Sequence, residues 1–196
     1  MFDRSFFEKS PAEVARALLG ARLFHDSSSG FLQGYIIETE AYGDETDSAS
    51  HARFGWTRRT EPLFGPAGLA YVYLVYGIHS MLNIVTGKEG QAGAVLIRAV
   101  FDPHTQRLHD GPGRVCRNLS ITRELNKSDM TRGEPLGIGQ GYVPEDHTIL
   151  KGKRIGVGYA QKSDREAQLR YRITDIAPLV RYIQGEKYVT GEEYCR

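Results

Sequence analysis

Two acids at alternate positions close a largely apolar strand in Tyr35-Ile36-Ile37-Glu38-Thr39-Glu40-Ala41-Tyr42. Strand side chains alternate in direction, so Glu38 and Glu40 fall on one side, with Glu40 at or just past the strand end. A close pair of carboxylates can bind a metal or share acid–base work; the plainer reading is a solvated strand end. Arg98 lies inside the apolar run Val95-Leu96-Ile97-Arg98-Ala99-Val100. A buried guanidinium needs a partner, most often a carboxylate. It is either one half of a structural salt bridge or, paired with Glu40, a group that holds a water and keeps that acid ionised as a base. Tyr71, Tyr73 and Tyr76 follow one another closely. Tyr71 and Tyr73 share a face and suit either a core or a base-stacking platform, whereas Tyr76 sits at a predicted hairpin tip, where it could wedge between base pairs.

Other chemistries lack their residues. His51, His79, His104, His109 and His147 are scattered without zinc spacing. Gly111-Pro112-Gly113 has no Lys-Ser/Thr to complete a phosphate loop, and Gly156 and Gly158 make no dinucleotide fingerprint. No serine-hydrolase elbow is present. The expectation is therefore no cofactor and no metal.

The elements that must position these residues read as follows. Ser10-Pro11-Ala12-Glu13 starts a helix with a capping serine, proline at the first helical position and a glutamate that bonds back; Gly20 ends it. Phe31 to Thr39 is predicted as a strand. Residues 41–66 form one long loop or a set of short pieces, a length that in a compact domain goes with function or disorder. Ala70 to Tyr76 and Ile78 to Val85 are strands joined by the tip Tyr76-Gly77-Ile78-His79. Ala94 to Val100 is a buried strand, Arg114 to Leu119 a short helix, and Arg154 to Tyr159 and Leu169 to Ile173 short late strands. No repeat or linker divides the chain, so the prediction is one α+β domain over residues 1–196 with mostly antiparallel pairing, few short helices and a protruding β-hairpin.

Composition sets wide bounds. The 196 residues are 40% hydrophobic and 25% charged, with 25 Lys and Arg against 24 Asp and Glu for a net charge of +1. That balance gives little support for nucleic-acid binding. The charge is unevenly placed, however: the stretch 38–47 is acidic and the stretch 51–60 carries Arg53, Arg58 and Arg59 without an acid. A local basic segment can bind phosphate even when the total cancels. No apolar run is long enough to span a bilayer, and the first residues do not read as a secretory signal. Cys116 and Cys195 read as free thiols. A cytoplasmic, nucleoid-associated monomer is expected.

Taken in order, these pieces resemble the alkyladenine (3-methyladenine, methylpurine) DNA glycosylase family along nearly the whole chain. The resemblance rests on Glu38-Thr39-Glu40-Ala41-Tyr42, His51, Tyr71-Val72-Tyr73 with Tyr76-Gly77, Asn83-Ile84, Val95-Leu96-Ile97-Arg98-Ala99, Gly111-Pro112-Gly113 and Arg154-Ile155-Gly156-Val157-Gly158. Each piece alone is weak; their order and spacing together are specific. The resemblance implies a monofunctional enzyme of base excision repair whose partner is double-stranded DNA containing damaged purines. It implies Glu40 as the general base, with Arg98 and the backbone carbonyl of Val157 positioning the water. Tyr42, His51 and Tyr73 would sandwich the extruded base, Tyr76 would fill the gap it leaves, and Asn83 would screen purines at the pocket floor.

The chemistry this implies is coherent. A base inside a duplex must be flipped out, at a cost of a few kcal/mol. An alkylated purine is cationic and leaves readily, so one carboxylate to activate water suffices; uncharged lesions need a proton donor, which no residue type in the sequence identifies. No lysine falls in the pocket set, so base removal without strand cutting is expected. Two other readings stay open: a metal-dependent nuclease or hydrolase using the acids of the 38–47 stretch, and a non-enzymatic nucleic-acid-binding module.

Overall fold

The computed structural model describes residues 1–185. Its helices are short: α1 (Arg4–Phe7), α2 (Pro11–Ala17), α3 (Pro112–Asn118), α4 (Lys162–Glu166) and α5 (Ala177–Gly185). Nine strands make one sheet: β1 (Arg22–Ser27), β2 (Gly30–Tyr42), β3 (Ala70–Val75), β4 (His79–Val85), β5 (Ala94–Asp102), β6 (Arg107–Asp110), β7 (Leu136–Gly139), β8 (Ile149–Gly152) and β9 (Arg170–Ile173). The main path runs β3-β4-β5-β2-β1-β7; β6 joins the far half of β5, and β9 joins β2 and carries β8. All these strand pairs are antiparallel. This is the α+β architecture read from the sequence.

Local chemistry explains where the elements begin and end. At α2 the Ser10 hydroxyl accepts the Glu13 N–H at 3.4 Å, and the Glu13 carboxylate accepts the Ser10 N–H at 3.1 Å, closing the predicted capping box. Gly20 follows at φ +79°, where an added Cβ would stand 2.1 Å from the Tyr142 carbonyl oxygen, so only glycine fits. The sheet packs α2, α3 and α5 against one face, with Val14, Leu18, Val115, Leu119, Leu179 and Ile183 meeting Ile36, Ile97 and Val100 in the main core. Thr39 turns to the same side, donating to the Ala15 carbonyl of α2 at 2.7 Å. Its neighbours Glu38 and Glu40 therefore point to the opposite face.

Two expectations are corrected. Glu40 does not close the strand: β2 continues to Tyr42, and Glu40 is paired across to Leu96 of β5 on one edge and Arg170 of β9 on the other. The predicted strand Arg154 to Tyr159 is an irregular loop after β8. Gly156 at φ +79° breaks the extended run. The loop's polar groups are also spent on fixed partners, Arg154 on the Ala41 carbonyl and Asp47, and the Ile155 N–H on Glu40. Strands β1, β6, β7 and β8 were not read from the sequence; β6, β7 and β8 have four residues each, too few for a periodic signal. Residues 41–66 are short pieces rather than one loop, including 3₁₀ turns His51–Phe54 and Glu61–Phe64. Cys116 is a buried free thiol of α3, and burial pushes its pKa up to about 12. Cys195 lies outside the described residues. No described helix is long and apolar enough to cross a membrane.

Candidate active site

The β2–β5 register slips twice, leaving Ile37 on one strand and Arg98 on the other without a directly opposed partner. Such bulges re-aim a side chain. Here Arg98 meets both acids, its Nε 3.3 Å from Glu38 Oε1 and its Nη1 3.3 Å from Glu40 Oε2. The acids then part company. Strand β9 lays Arg172 opposite Glu38 and Arg170 opposite Glu40, and both guanidinium groups turn onto Glu38: Arg170 at 3.1 Å, and Arg172 in a closer contact shared with Asp110. Glu38 is thus held among three arginines.

Glu40 keeps a different set. Its Oε2 accepts the Tyr42 hydroxyl at 2.8 Å and Arg98 at 3.3 Å, and its Oε1 accepts the Ile155 N–H at 2.7 Å. A carboxylate offers about four acceptor sites, so three bonds leave roughly one for a water. Burial raises its pKa above the usual carboxylate value, and Arg98, the Ile155 N–H and Tyr42 pull it back only in part. Arg98 favours the ionised form, as its pairing with Glu40 implies, while desolvation by burial opposes it more strongly. Tyr42 is held well above its ordinary pKa by burial and by Glu40, so its hydroxyl stays protonated and donates.

A cleft of about 620 Å³ opens over this point, lined among others by Tyr42, His51, Tyr73, Asn83, Arg98 and Val157. That volume suits a small planar ligand. Glu40 is fully buried and lies just behind the wall formed by Tyr42, Arg98 and Ile155. His51 packs on Tyr73 with ring centres 4.5 Å apart, and its Nδ1 is 3.0 Å from the Tyr71 hydroxyl. Burial, with Arg59 and Arg53 nearby, takes the His51 pKa down to about 4, so the ring is neutral near pH 7. Asn83 is buried at the β3–β4–β5 crossing and makes a long bond, 3.4 Å, to the Tyr71 carbonyl. The Val157 carbonyl accepts the Ala160 N–H at 3.0 Å, which leaves one of its two lone pairs. Tyr76 stands on the hairpin tip at 91% exposure with φ +52°, beside Gly77 at φ +74°. A left-handed conformation costs a non-glycine residue about 1–2 kcal/mol, so the turn holds this ring outward against a local preference. Ile78, 74% exposed, shares the tip and was not singled out from the sequence.

Sequence reasoning also missed the groups that hold these residues. Arg154, whose side chain is fully buried, forks onto Asp47 at 2.5 and 2.9 Å, donates to the Ala41 carbonyl at 3.0 Å and lies 4.8 Å over the Tyr42 ring. Burial alone would lift the Asp47 carboxyl, but Arg154 and the Gly43 N–H hold it below the usual range. The one available signal was the Arg-Tyr-Arg alternation at 170–172, which mirrors Glu38-Thr39-Glu40. With Asp47 and Glu38 both engaged by arginines, the acidic stretch disperses, and among the described residues no three His, Cys, Asp or Glu side chains converge as ion ligands.

Residues 5–177 match the family model for methylpurine-DNA glycosylase. This chain belongs to the methylpurine-DNA glycosylase family. Membership makes it a DNA glycosylase, a hydrolase of the N-glycosidic bond. Bacterial relatives agree, each carrying the provisional name 3-methyladenine DNA glycosylase. One from Legionella pneumophila (strain Lens) is 42% identical over 174 residues, covering 88% of this chain and 93% of the relative. One from an Anaeromyxobacter species is 45% identical over 159 residues, 80% of this chain and 81% of its own. One from Myxococcus xanthus is 44% identical over 161 residues, again 80% and 81%. The family match ends at the first residue of α5, whose Leu179 and Ile183 nonetheless complete the core.

Proposed function

We propose that this glycosylase flips alkylated or deaminated purines (3-methyladenine, 7-methylguanine, hypoxanthine, ethenoadenine) out of duplex DNA and hydrolyses the N-glycosidic bond with a water activated by Glu40. The observation that carries this reading is a buried carboxylate with one acceptor site to spare, set directly behind an aromatic-walled cleft. Glu38 has its oxygens taken up by three arginines; Glu40, whose pKa burial raises, keeps an acceptor site for the water and is the candidate base. Arg98 and the free lone pair of the Val157 carbonyl bracket the water. Tyr42 on one side and His51 with Tyr73 on the other receive the base, and among the described residues no lysine lines the cleft, consistent with base release that leaves the strand intact. The test is a duplex bearing a single hypoxanthine or 3-methyladenine, assayed for free base in the presence of a chelator. Strand cutting in place of base release, or activity abolished by the chelator, would overturn it.

Tyr76 fills the vacated stack in this reading. Tyr76→Ala should slow release from duplex about tenfold, on the order of 1.4 kcal/mol of lost flipping free energy. Release from a single-stranded lesion should hold near the wild-type rate. An unchanged duplex rate removes the wedge role.

Asn83 faces the purine edge that carries the 2-amino group in guanine. Selectivity then comes from a repulsive contact rather than an added attraction. Asn83→Ser or Asn83→Ala should raise release of guanine and 7-methylguanine by roughly tenfold, in the range that one small group in a pocket supplies, with less change on hypoxanthine. The variants are compared side by side on the three duplexes. A parallel fall on all three would make Asn83 a purely structural residue, holding the Tyr71 carbonyl.

A further inference from the structure

The basic stretch 51–60 divides in the structure. Arg53 is engaged: it donates to the Ser48 carbonyl at 2.9 Å and lies over the Phe54 and Tyr159 rings at 4.3 and 4.5 Å. Arg58 and Arg59 instead line a second groove of about 620 Å³, where Arg123 and Lys127 join them from a distant part of the chain. Arg58 and Arg123 are exposed and have no ion-pair or hydrogen-bond partner among the described residues. One acid lines the groove, Glu61, and it is 2.8 Å from Lys127. Four cations against one acid concentrate positive charge here, in a chain whose net charge is +1.

The backbone fixes this cluster to the hairpin. Arg123 stands on a 3₁₀ turn, Arg123–Leu125, capped by the Thr122 hydroxyl, which accepts the Glu124 N–H at 3.3 Å. The next residues dock on the outer edge of β3: Asn126 Oδ1 accepts the Val72 N–H at 2.9 Å, the Lys127 N–H donates to the Ala70 carbonyl at 2.8 Å, and the Ser128 carbonyl accepts the Ala70 N–H at 2.8 Å. The docked segment stops at Val72. Alternate residues of an antiparallel edge strand bond outward, so the Leu74 N–H points the same way as that of Val72. Leu74 lines the groove, and its outward N–H has no partner among the described residues. Groove and cleft share Arg59, Tyr71, Tyr73 and Leu74, so they lie side by side along the strand that leads to Tyr76.

We propose that this groove is a track for the sugar–phosphate backbone of duplex DNA beside the flipped nucleotide, with Arg58, Arg123 and Lys127 neutralising phosphates and the Leu74 N–H donating to a phosphate oxygen. The proposal rests on the glycosylase reading above and says which flank of the hairpin the backbone follows. Charge and continuity with the cleft select this occupant: whatever fills the groove lies against the strand that carries the wedge. Arg58 and Arg123 break no ion pair when they meet a phosphate. Phosphate contacts carry no sequence information, so the track holds undamaged and lesion-bearing duplex alike.

The test is the salt dependence of duplex binding by the intact chain. Each phosphate contact contributes about 0.9 to the slope of log K against log salt concentration. Arg58→Gln and Arg123→Gln should each flatten that slope by about 0.9, with equal fold-losses of affinity on undamaged and hypoxanthine duplexes. Glu61→Gln, which releases Lys127, should steepen it by about as much. Arg16→Gln, on α2 at the other face of the sheet, should leave it as in the wild type. Arg58 and Arg123 are exposed, so thermal melting should match the wild type. Slopes of Arg58→Gln and Arg123→Gln equal to that of Arg16→Gln, or losses confined to the hypoxanthine duplex, overturn the track. A wild type that binds duplex and releases no base sinks the glycosylase reading, while the slopes still decide the track.

Discussion

Glu40→Gln is expected to abolish base release, by roughly 10²–10⁴-fold, the range of a single general base, while binding of lesion-containing duplex is retained. The amide nearly reproduces the carboxylate's shape. Its oxygen can keep the Ile155 N–H and its NH₂ can donate to the Tyr42 hydroxyl, which rotates to accept; Arg98 retains Glu38. An amide cannot take a proton from water. The pH profile follows from the same geometry. Because burial raises the Glu40 pKa above its ordinary value, wild-type release should fall on the acid side through a midpoint above the usual carboxylate range. The sign for stability is opposite to that of a salt-bridged acid. A folded-state pKa raised above the unfolded one means the ionised carboxylate is a burden to the fold at neutral pH. Glu40→Gln should therefore unfold no more easily than wild type. Glu38→Gln should behave in reverse, with a milder loss of rate and a lower melting temperature, because three guanidinium groups lose part of their counter-charge. Equal rate losses in the two variants would point to a shared carboxylate pair and end the single-base reading.

Arg154→Ala is expected to cost about 3–5 kcal/mol of folding stability, the range for removing one partner of a buried ion pair. The Arg154 side chain is fully buried and that of Asp47 10% exposed, so little solvent screens the pair. The substitution strands the Asp47 carboxylate and unties the Ala41 and Asp164 carbonyls that Arg154 also satisfies. The chain after Arg154 carries the Ile155 N–H that holds Glu40 and the Val157 carbonyl at the cleft, and the guanidinium also covers the Tyr42 ring. Release should fall even below the melting temperature, on hypoxanthine and 3-methyladenine together, since the water site is disturbed along with the Tyr42 wall of the cleft. Stability from this pair is present above the unfolded Asp pKa and is lost as pH falls through the depressed folded value. Acid should therefore narrow the difference between wild type and Arg154→Ala. Thermal unfolding and base release are measured together across pH; a variant with unchanged melting and unchanged rate would show that Arg154 neither holds the loop nor shapes the site.

Much of the scaffold was legible because it is written at short range. The Ser10 capping box, the alternation that sends Glu38 and Glu40 to one face, and the β3–β4 hairpin with Tyr76 at its tip each depend on residues a few positions apart. Arg98, an isolated cation in an apolar strand, announced that a carboxylate must meet it. Tertiary structure decided which acid keeps an acceptor site free and which is engaged by arginines. That depends on β9 bringing Arg170 across 132 residues of chain to Glu38, on two bulges that turn Arg98 between the acids, and on a loop after β8 whose Ile155 N–H, 115 residues from Glu40, takes one of its oxygens. Periodicity encodes which way a side chain points from its own strand. It does not encode which strand edge will lie beside it, nor the burial that raises one carboxylate and the arginines that neutralise the other.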